Sequence, residues 1–340
     1  MGNCVAKRRA VQIRNYRYIV IVPTDQRTVE WNGVVYDTDV TPKPYGVIKI
    51  FNKCEEYLVA YEVQEDGIDY NYVTAYWDLL RELNDNGNEL FGKLDVDSEF
   101  IDLWRSDGVK IDAILLSSDN KKFIRLHETF WQSQLEVSNL IDFGLKFVQA
   151  LHEYHQRGKV HLNLSPTSVF VETKGDRSFE FGFLQNGHPI PAYHGIPKAE
   201  VQNSIFKLTD WGYCPMAMHK RNVTITDDYE SFIYVLYTVY HRTHVPWVRN
   251  VMNVTFENQQ YYENICQKIW SVEMEQDLIK EKRRFWDDPQ KLFAHLDEPL
   301  QRLFVDLAMV VHANHDIPPL EMNSLLKQKL LDYKENFSFT

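Results

Sequence analysis

The sequence predicts an α+β protein, with a small strand-rich first lobe followed by a larger helical second lobe. Three observations carry this. Residues 11–51 and 109–116 are rich in β-branched and aromatic residues in short runs. After about residue 120, apolar residues recur at helical spacing. The chain also has 340 residues, more than one minimal core needs.

The elements follow in order. "YRYIVIVP" reads as a strand, "TVEWNGVVYD" as a strand or hairpin, and "YGVIKIF" as a third strand. Residues 70–84 have helical spacing, which puts Tyr72, Tyr76, Leu79, Leu80 and Leu83 on one face. "VKIDAILL" is another strand. "LEVSNLIDFGLKFVQALHEYHQRG" places Leu140, Phe143, Phe147, Leu151 and Tyr154 on one stripe and stops at Gly158, as a buried helix should. Two short strand-like pieces, "SVFVE" and "IFKLTD", flank a loop over 173–204 that contains several Gly, Pro and His. From Asp227 onward the text is helical. The expected organisation is a tail over 1–10, a first lobe over 11–118 and a second lobe over 119–334, with 173–204 as an enlarged loop within the second.

Composition narrows the function classes. Hydrophobic residues make up 44% and charged residues 25%, the ordinary mix of a globular protein. The formal net charge of -11 argues against general nucleic-acid binding, which needs a basic surface to displace counterions. A local cluster, Lys280, Lys282, Arg283 and Arg284, reads as a solvated helix face. Cys4, Cys54, Cys214 and Cys266 lie far apart with no C-x-x-C pair, which indicates neither a zinc site nor a disulfide framework and suits a reducing, intracellular setting. No apolar run reaches the length of a membrane span, and no secretory signal is evident at the start.

The first residues, MGNCVAKRR, could act as a lipid anchor. Gly2 could carry a myristoyl chain and Cys4 a palmitoyl chain, and Lys7, Arg8 and Arg9 could meet anionic lipid; Ala6 departs from the usual Ser or Thr. One acyl chain holds a protein marginally, whereas two signals hold it stably.

The chemistry sits in an ordered set: Lys49 inside "GVIKI", the buried helix, "VHLNLSPTSVFV", then "FKLTDWG". This order resembles the protein kinase signature, in which H-R-D-L-x-x-x-N is followed by D-F-G. "DDYESFIYVLYTVYHRTHVPW" is similar to the casein kinase I superfamily's D-D-L-E-S-L-G-Y helix and closing L-P-W, matched at Asp227, Asp228, Glu230, Ser231, Tyr234, Pro246 and Trp247. "HDIPPLEMNSLLKQKL" is similar to that family's last helix. The resemblance, to casein kinase I and the vaccinia-related kinases, covers roughly 40–332 and implies a bilobal protein-kinase fold. It implies that Lys49 meets nucleotide phosphates, that Asp210 holds magnesium, that His161, Trp211 and Gly212 are structural, and that Asp228 caps the backbone of the catalytic loop. ATP with magnesium is the implied ligand, if there is one.

The same resemblance exposes losses. The proton-accepting aspartate is replaced by Asn163, an amide with no useful basicity. The lysine that steadies the moving phosphoryl group is Ser165, and the second magnesium ligand is Ser168. The glycine-rich loop is missing, and the helix glutamate that pairs with the lysine falls near Val73, with Glu62 or Glu65 as candidates only if the helix starts earlier. Losing a general base costs about 10²–10⁴ in rate, and losing an electrostatic stabiliser costs about 10²–10³. The segment 213–226 is too short for an ordinary activation segment. His188 and His194 read as loop residues, since no third ligand stands at sensible spacing. The expectation is a pseudokinase acting as a binding, scaffold or regulatory protein, with protein partners and a membrane surface as candidate contacts. The alternative is an atypical active Ser/Thr kinase.

Overall fold

The computed structural model describes residues 27–39, 45–64, 71–95, 100–119, 121–129, 137–161, 164–174, 178–187, 212–213, 215–216, 224–252, 272–314 and 317–337. They fall into two compact units. The first is drawn from Met1–Gly87 and Lys93–Asp119 with Gln267–Val272, and the second from Asn88–Gly92, Asn120–Cys266 and Glu273–Thr340.

The first unit holds strands β1 (Thr28–Trp31), β2 (Val34–Thr38), β3 (Tyr45–Phe51), β4 (Glu56–Val63), β5 (Phe100–Arg105) and β6 (Lys110–Leu116), with helix α1 (Tyr72–Asp85) between β4 and β5. The β1–β2 connection is the two-residue turn Asn32-Gly33, with φ of 51° and 78°. Both lie in the left-handed region that matches the twist of a tight hairpin. All pairings are antiparallel, in the order β1-β2-β3-β4-β6-β5, and β1 also pairs with β5 through Val29↔Arg105 and Glu30↔Trp104. The strands therefore close into a barrel. Alternate residues fill its interior, among them Val29, Tyr36, Ile48, Ile50, Val59, Tyr61, Leu103 and Ile111. The opposite residues Val47, Leu58, Ala60 and Ile114 are also buried, because α1 lies against β3, β4 and β6.

This overturns the expected bilobal protein-kinase fold. That expectation rested on a β-sheet lobe, but six antiparallel strands closed upon themselves leave no free sheet edge. The physical cause is that β1 has two partners, β2 and β5. Strands β4 and β5 were not anticipated, and β4 supplies the widest pairing of all, with β3 on one side and β6 on the other.

The second unit holds β7 (Phe123–Arg125), a 3₁₀ turn (Leu126–Thr129), α2 (Val137–Gln156), β8 (Val169–Thr173), β9 (Phe179–Leu184), a second 3₁₀ turn (Ile225–Asp227), α3 (Asp228–His241), α4 (Pro246–Met252), α5 (Val272–Trp286), α6 (Pro289–Phe293), α7 (Glu298–Ala313) and α8 (Pro319–Phe337). Strands β7, β8 and β9 form a small antiparallel sheet. Helix α2 is the spine, packed on α8, β9 and α3. Its predicted stripe is buried, and Phe143 and Phe147 meet Phe181 and Phe232 edge-on or tilted. Gly158, at φ 64°, stops the helix and donates its amide to the His155 carbonyl at 2.9 Å. Helix α3 is buried on nearly every side, which a one-faced helical pattern would not suggest. The stretch 173–204, read as loop, contains β9, while the strands read in "YRYIVIVP" and "IFKLTD" lie outside the described residues.

Candidate functional site

The turn that follows α2 carries the described part of the predicted catalytic loop. It is anchored from α3. His161 is fully buried, and its amide donates to Asp228 Oδ2 at 2.6 Å. The same oxygen lies 2.9 Å from His155 Nε2, whose Nδ1 is 3.2 Å from the Tyr229 hydroxyl. On its other side, His161 Nε2 is 2.9 Å from the Gln185 carbonyl, so that nitrogen carries a proton and donates. Burial lowers the His161 pKa and keeps the ring neutral, against the opposing pull of Asp228. Asp228 is fully buried and already accepts from two donors. It cannot reach a substrate and acts as a structural post.

The serines face inward as well. Ser165 and Ser168 are both fully buried. The Ser165 amide donates to Ser168 Oγ at 3.0 Å, Ser168 Oγ donates back to the Ser165 carbonyl at 3.0 Å, and Ser165 Oγ lies 2.8 Å from Thr167 Oγ1. Arg125 pins this turn by donating to the Thr167 carbonyl at 2.7 Å, and the Gln185 amide donates to the Ser168 carbonyl at 3.0 Å. The hydroxyls at the positions of a lysine and a metal-binding asparagine are thus engaged in a local turn. Asn163 itself lies outside the described residues, as do Asp210, Trp211, Gly2 and Cys4. Gly212 is described. Its carbonyl accepts from Trp247 Nε1 at 2.7 Å, and a Cβ added there would come within 2.2 Å of Val248 Cγ2.

In the first unit, Lys49 stands on β3 opposite Leu58, with its amide donating to Asp39 Oδ1 at 2.9 Å. Its Nζ pairs with Glu56 Oε1 at 3.2 Å. That carboxylate comes from the neighbouring strand, not from a helix. Glu62 is buried on β4 and caps α1: its Oε2 accepts the Val73 amide at 2.9 Å and also the Tyr72 amide. The strand that leads into α1 is β4, and it reads Val59-Ala60-Tyr61-Glu62. The acid that closes this run serves the helix.

Tyr154, read only as part of the buried stripe of α2, and Asn186 and Gly187, read only as loop, complete the buried turn. Tyr154 donates its hydroxyl to Asn186 Oδ1 at 2.8 Å. Gly187 presses on His161 so closely that an added Cβ would lie 2.5 Å from its carbonyl oxygen. The only signal was a glycine in a stretch already rich in glycine. Among the described residues, no group of three or more His, Cys, Asp or Glu could hold a metal ion, and no helix is long and apolar enough to cross a membrane.

No protein-family model matches the chain. Over 154 residues it is 25% identical to a Caenorhabditis elegans protein named "Putative serine/threonine-protein kinase ZK507.1", a match covering 44% of this chain and 45% of that protein. The chain therefore spans less than half the length of the curated relative it matches. This is a distant, kinase-like relationship of part of the chain.

Proposed function

We propose that the protein is a catalytically inactive relative of protein kinases, of casein kinase I type in sequence, which works by binding other proteins as a scaffold or regulator. The observation that carries this reading is the state of the loop after α2. Asn163 replaces the general base, and the Ser165 and Ser168 hydroxyls are buried in a turn that closes on itself. Phosphoryl transfer depends on positioning and on stabilising charge at the moving group, and neither serine offers a charge or faces outward. Nucleotide, in this reading, is at most a weak ligand, since no glycine-rich loop is present to cover its phosphates; Lys49 and Asp210 are the candidate residues for phosphate and for magnesium. Any such binding would act by stabilising the folded state. Acylation at Gly2 and Cys4 would add a membrane tether, and equal membrane partitioning of wild type and Gly2→Ala would remove that part.

The deciding experiment pairs a phosphoryl-transfer assay with thermal melting in ATP, with and without magnesium. The expected result is no transfer above background, with a small melting shift or none, and no gain from Asn163→Asp. Transfer at ordinary kinase rates, unchanged by Asn163→Asp and abolished by Asp210→Ala, would instead establish an atypical active Ser/Thr kinase.

A further inference from the structure

Arg242 follows the last residue of α3 as its C-cap, at φ 55° and ψ 33°, with its amide donating to the Thr238 carbonyl at 2.9 Å. That left-handed conformation ordinarily goes to glycine or asparagine, because a larger side chain is strained there. The side chain folds inward, and the residue is only 3% exposed. Its Nη1 donates to Thr129 Oγ1 at 2.7 Å, and its guanidinium carbon lies 4.0 Å from the centre of the Phe179 ring. Nε and Nη2 are buried and have no hydrogen-bond partner among the described residues. Burial lowers the pKa of the group only to about 10, so it is charged at neutral pH. A buried charge with unmade hydrogen bonds is among the costliest arrangements a fold can hold.

Among the described residues no carboxylate pairs with Arg242. Glu128, next to Thr129, turns back to accept the Arg125 amide at 2.9 Å. His127 and His244, each two positions from the Thr129–Arg242 contact, lie within charge range of each other and carry no negative charge. The chemistry of the free edge says what would satisfy it. Nε and Nη2 present parallel N–H bonds along one edge of the planar group. That edge is the fork that holds an anion with two bonds. Phe179 covers one face of the group and both nitrogens are closed to solvent, so the acceptor is small. We propose that the free edge of Arg242 is an internal site for a small anion, a halide or the smallest carboxylate, which fastens the end of α3 to the 3₁₀ turn at Leu126–Thr129 and to the start of β9. The site is independent of the proposed loss of phosphoryl transfer.

The test uses the full chain, dialysed into gluconate, an anion too large to enter, and titrated at constant ionic strength with chloride in one arm and formate in the other. The thermal midpoint should rise with the logarithm of the concentration of the anion that fits, because only the folded state holds it. A rise with chloride assigns a halide, and a rise with formate assigns a carboxylate. Arg242→Gln removes the charge and the fork, and should lose the dependence. Should that variant fail to fold, crystals of the wild type grown in bromide and in formate decide, and an ion bridging Nε and Nη2 in either is the expected result. If wild-type midpoints in chloride and in formate match those in gluconate, the proposal fails. It fails equally if Arg242→Gln keeps the wild-type dependence, or if both crystals show only water along that edge.

Discussion

Asp228 Oδ2 alone serves both the His161 amide and His155 Nε2, inside a region closed to solvent. Removing it leaves two buried donors without their acceptor, and desolvation is then not offset by anything. Asp228→Ala should therefore cost about 2–5 kcal/mol, about 1–3 kcal/mol for each buried donor left unsatisfied. Asp228→Asn, which keeps an acceptor oxygen, should cost clearly less. Urea midpoints at constant slope measure both, and an alanine loss under about 1 kcal/mol would contradict the post-like role assigned to this carboxylate. The same scale explains why the loop cannot be repaired by one substitution. Ser165 is fully buried among its own turn's hydroxyl and amide partners, so Ser165→Lys would force an ammonium into that space or open the turn.

Helix α1 shows how an element can depend on a residue far from it in sequence. Its N-cap, Asn71, sits in the left-handed region at φ 47° and makes no side-chain cap. The first-turn amides go instead to Glu62 on β4. Glu62→Ala should destabilise the protein by about 2 kcal/mol, combining a lost cap with buried unsatisfied amides, and hydrogen exchange should quicken first at Tyr72 and Val73. Glu62→Gln keeps an acceptor and should lose only part of this. No sequence rule could find this cap, because nine residues separate it from the helix it serves. The helices α1, α2 and α3 were legible because their apolar spacing or motif is local, and so was the "WNGV" hairpin with its Asn-Gly turn. Strands β4 and β5 were passed over. "EYLVAYEV" is buried on both faces and so lacks the alternation that marks a strand. "FIDLWR" exposes Phe100 and Trp104, which hides its inward face. Barrel closure was not legible at all, since the β1–β5 pairing joins residues more than seventy positions apart. For the candidate site, the identities at 163, 165 and 168 were readable, but the inward turn of the serines required the contacts from Arg125, at the end of β7, and Gln185, just after β9.

Over the whole molecule, buried titratable groups of opposite kinds set how stability responds to pH. Burial lowers the pKa of His241 from 6.5 to about 3, and lowers those of His161 and His244 as well. As pH falls below 6.5 the unfolded chain takes up protons at these three, and the folded protein does not, so stability falls toward acid. Glu230 acts in the other direction. Burial raises it from 4.5 to about 7, against Lys282 and the hydroxyl of Tyr234, which favour the ionised form. Between those values the folded state holds a proton that the unfolded chain has released, so this group's contribution is present at low pH and is lost as pH rises through about 7. Each proton contributes about 1.4 kcal/mol per pH unit. Where they act together, the histidines oppose the single glutamate, so wild-type stability should rise with pH. Glu230→Gln removes the opposing proton, and the slope should steepen by up to about 1.4 kcal/mol per pH unit. Urea unfolding at a series of pH values between 5 and 6.5 reads both slopes directly. A shallower slope in the variant would mean that Glu230 is ionised in the folded protein, held by Lys282 more strongly than burial opposes it.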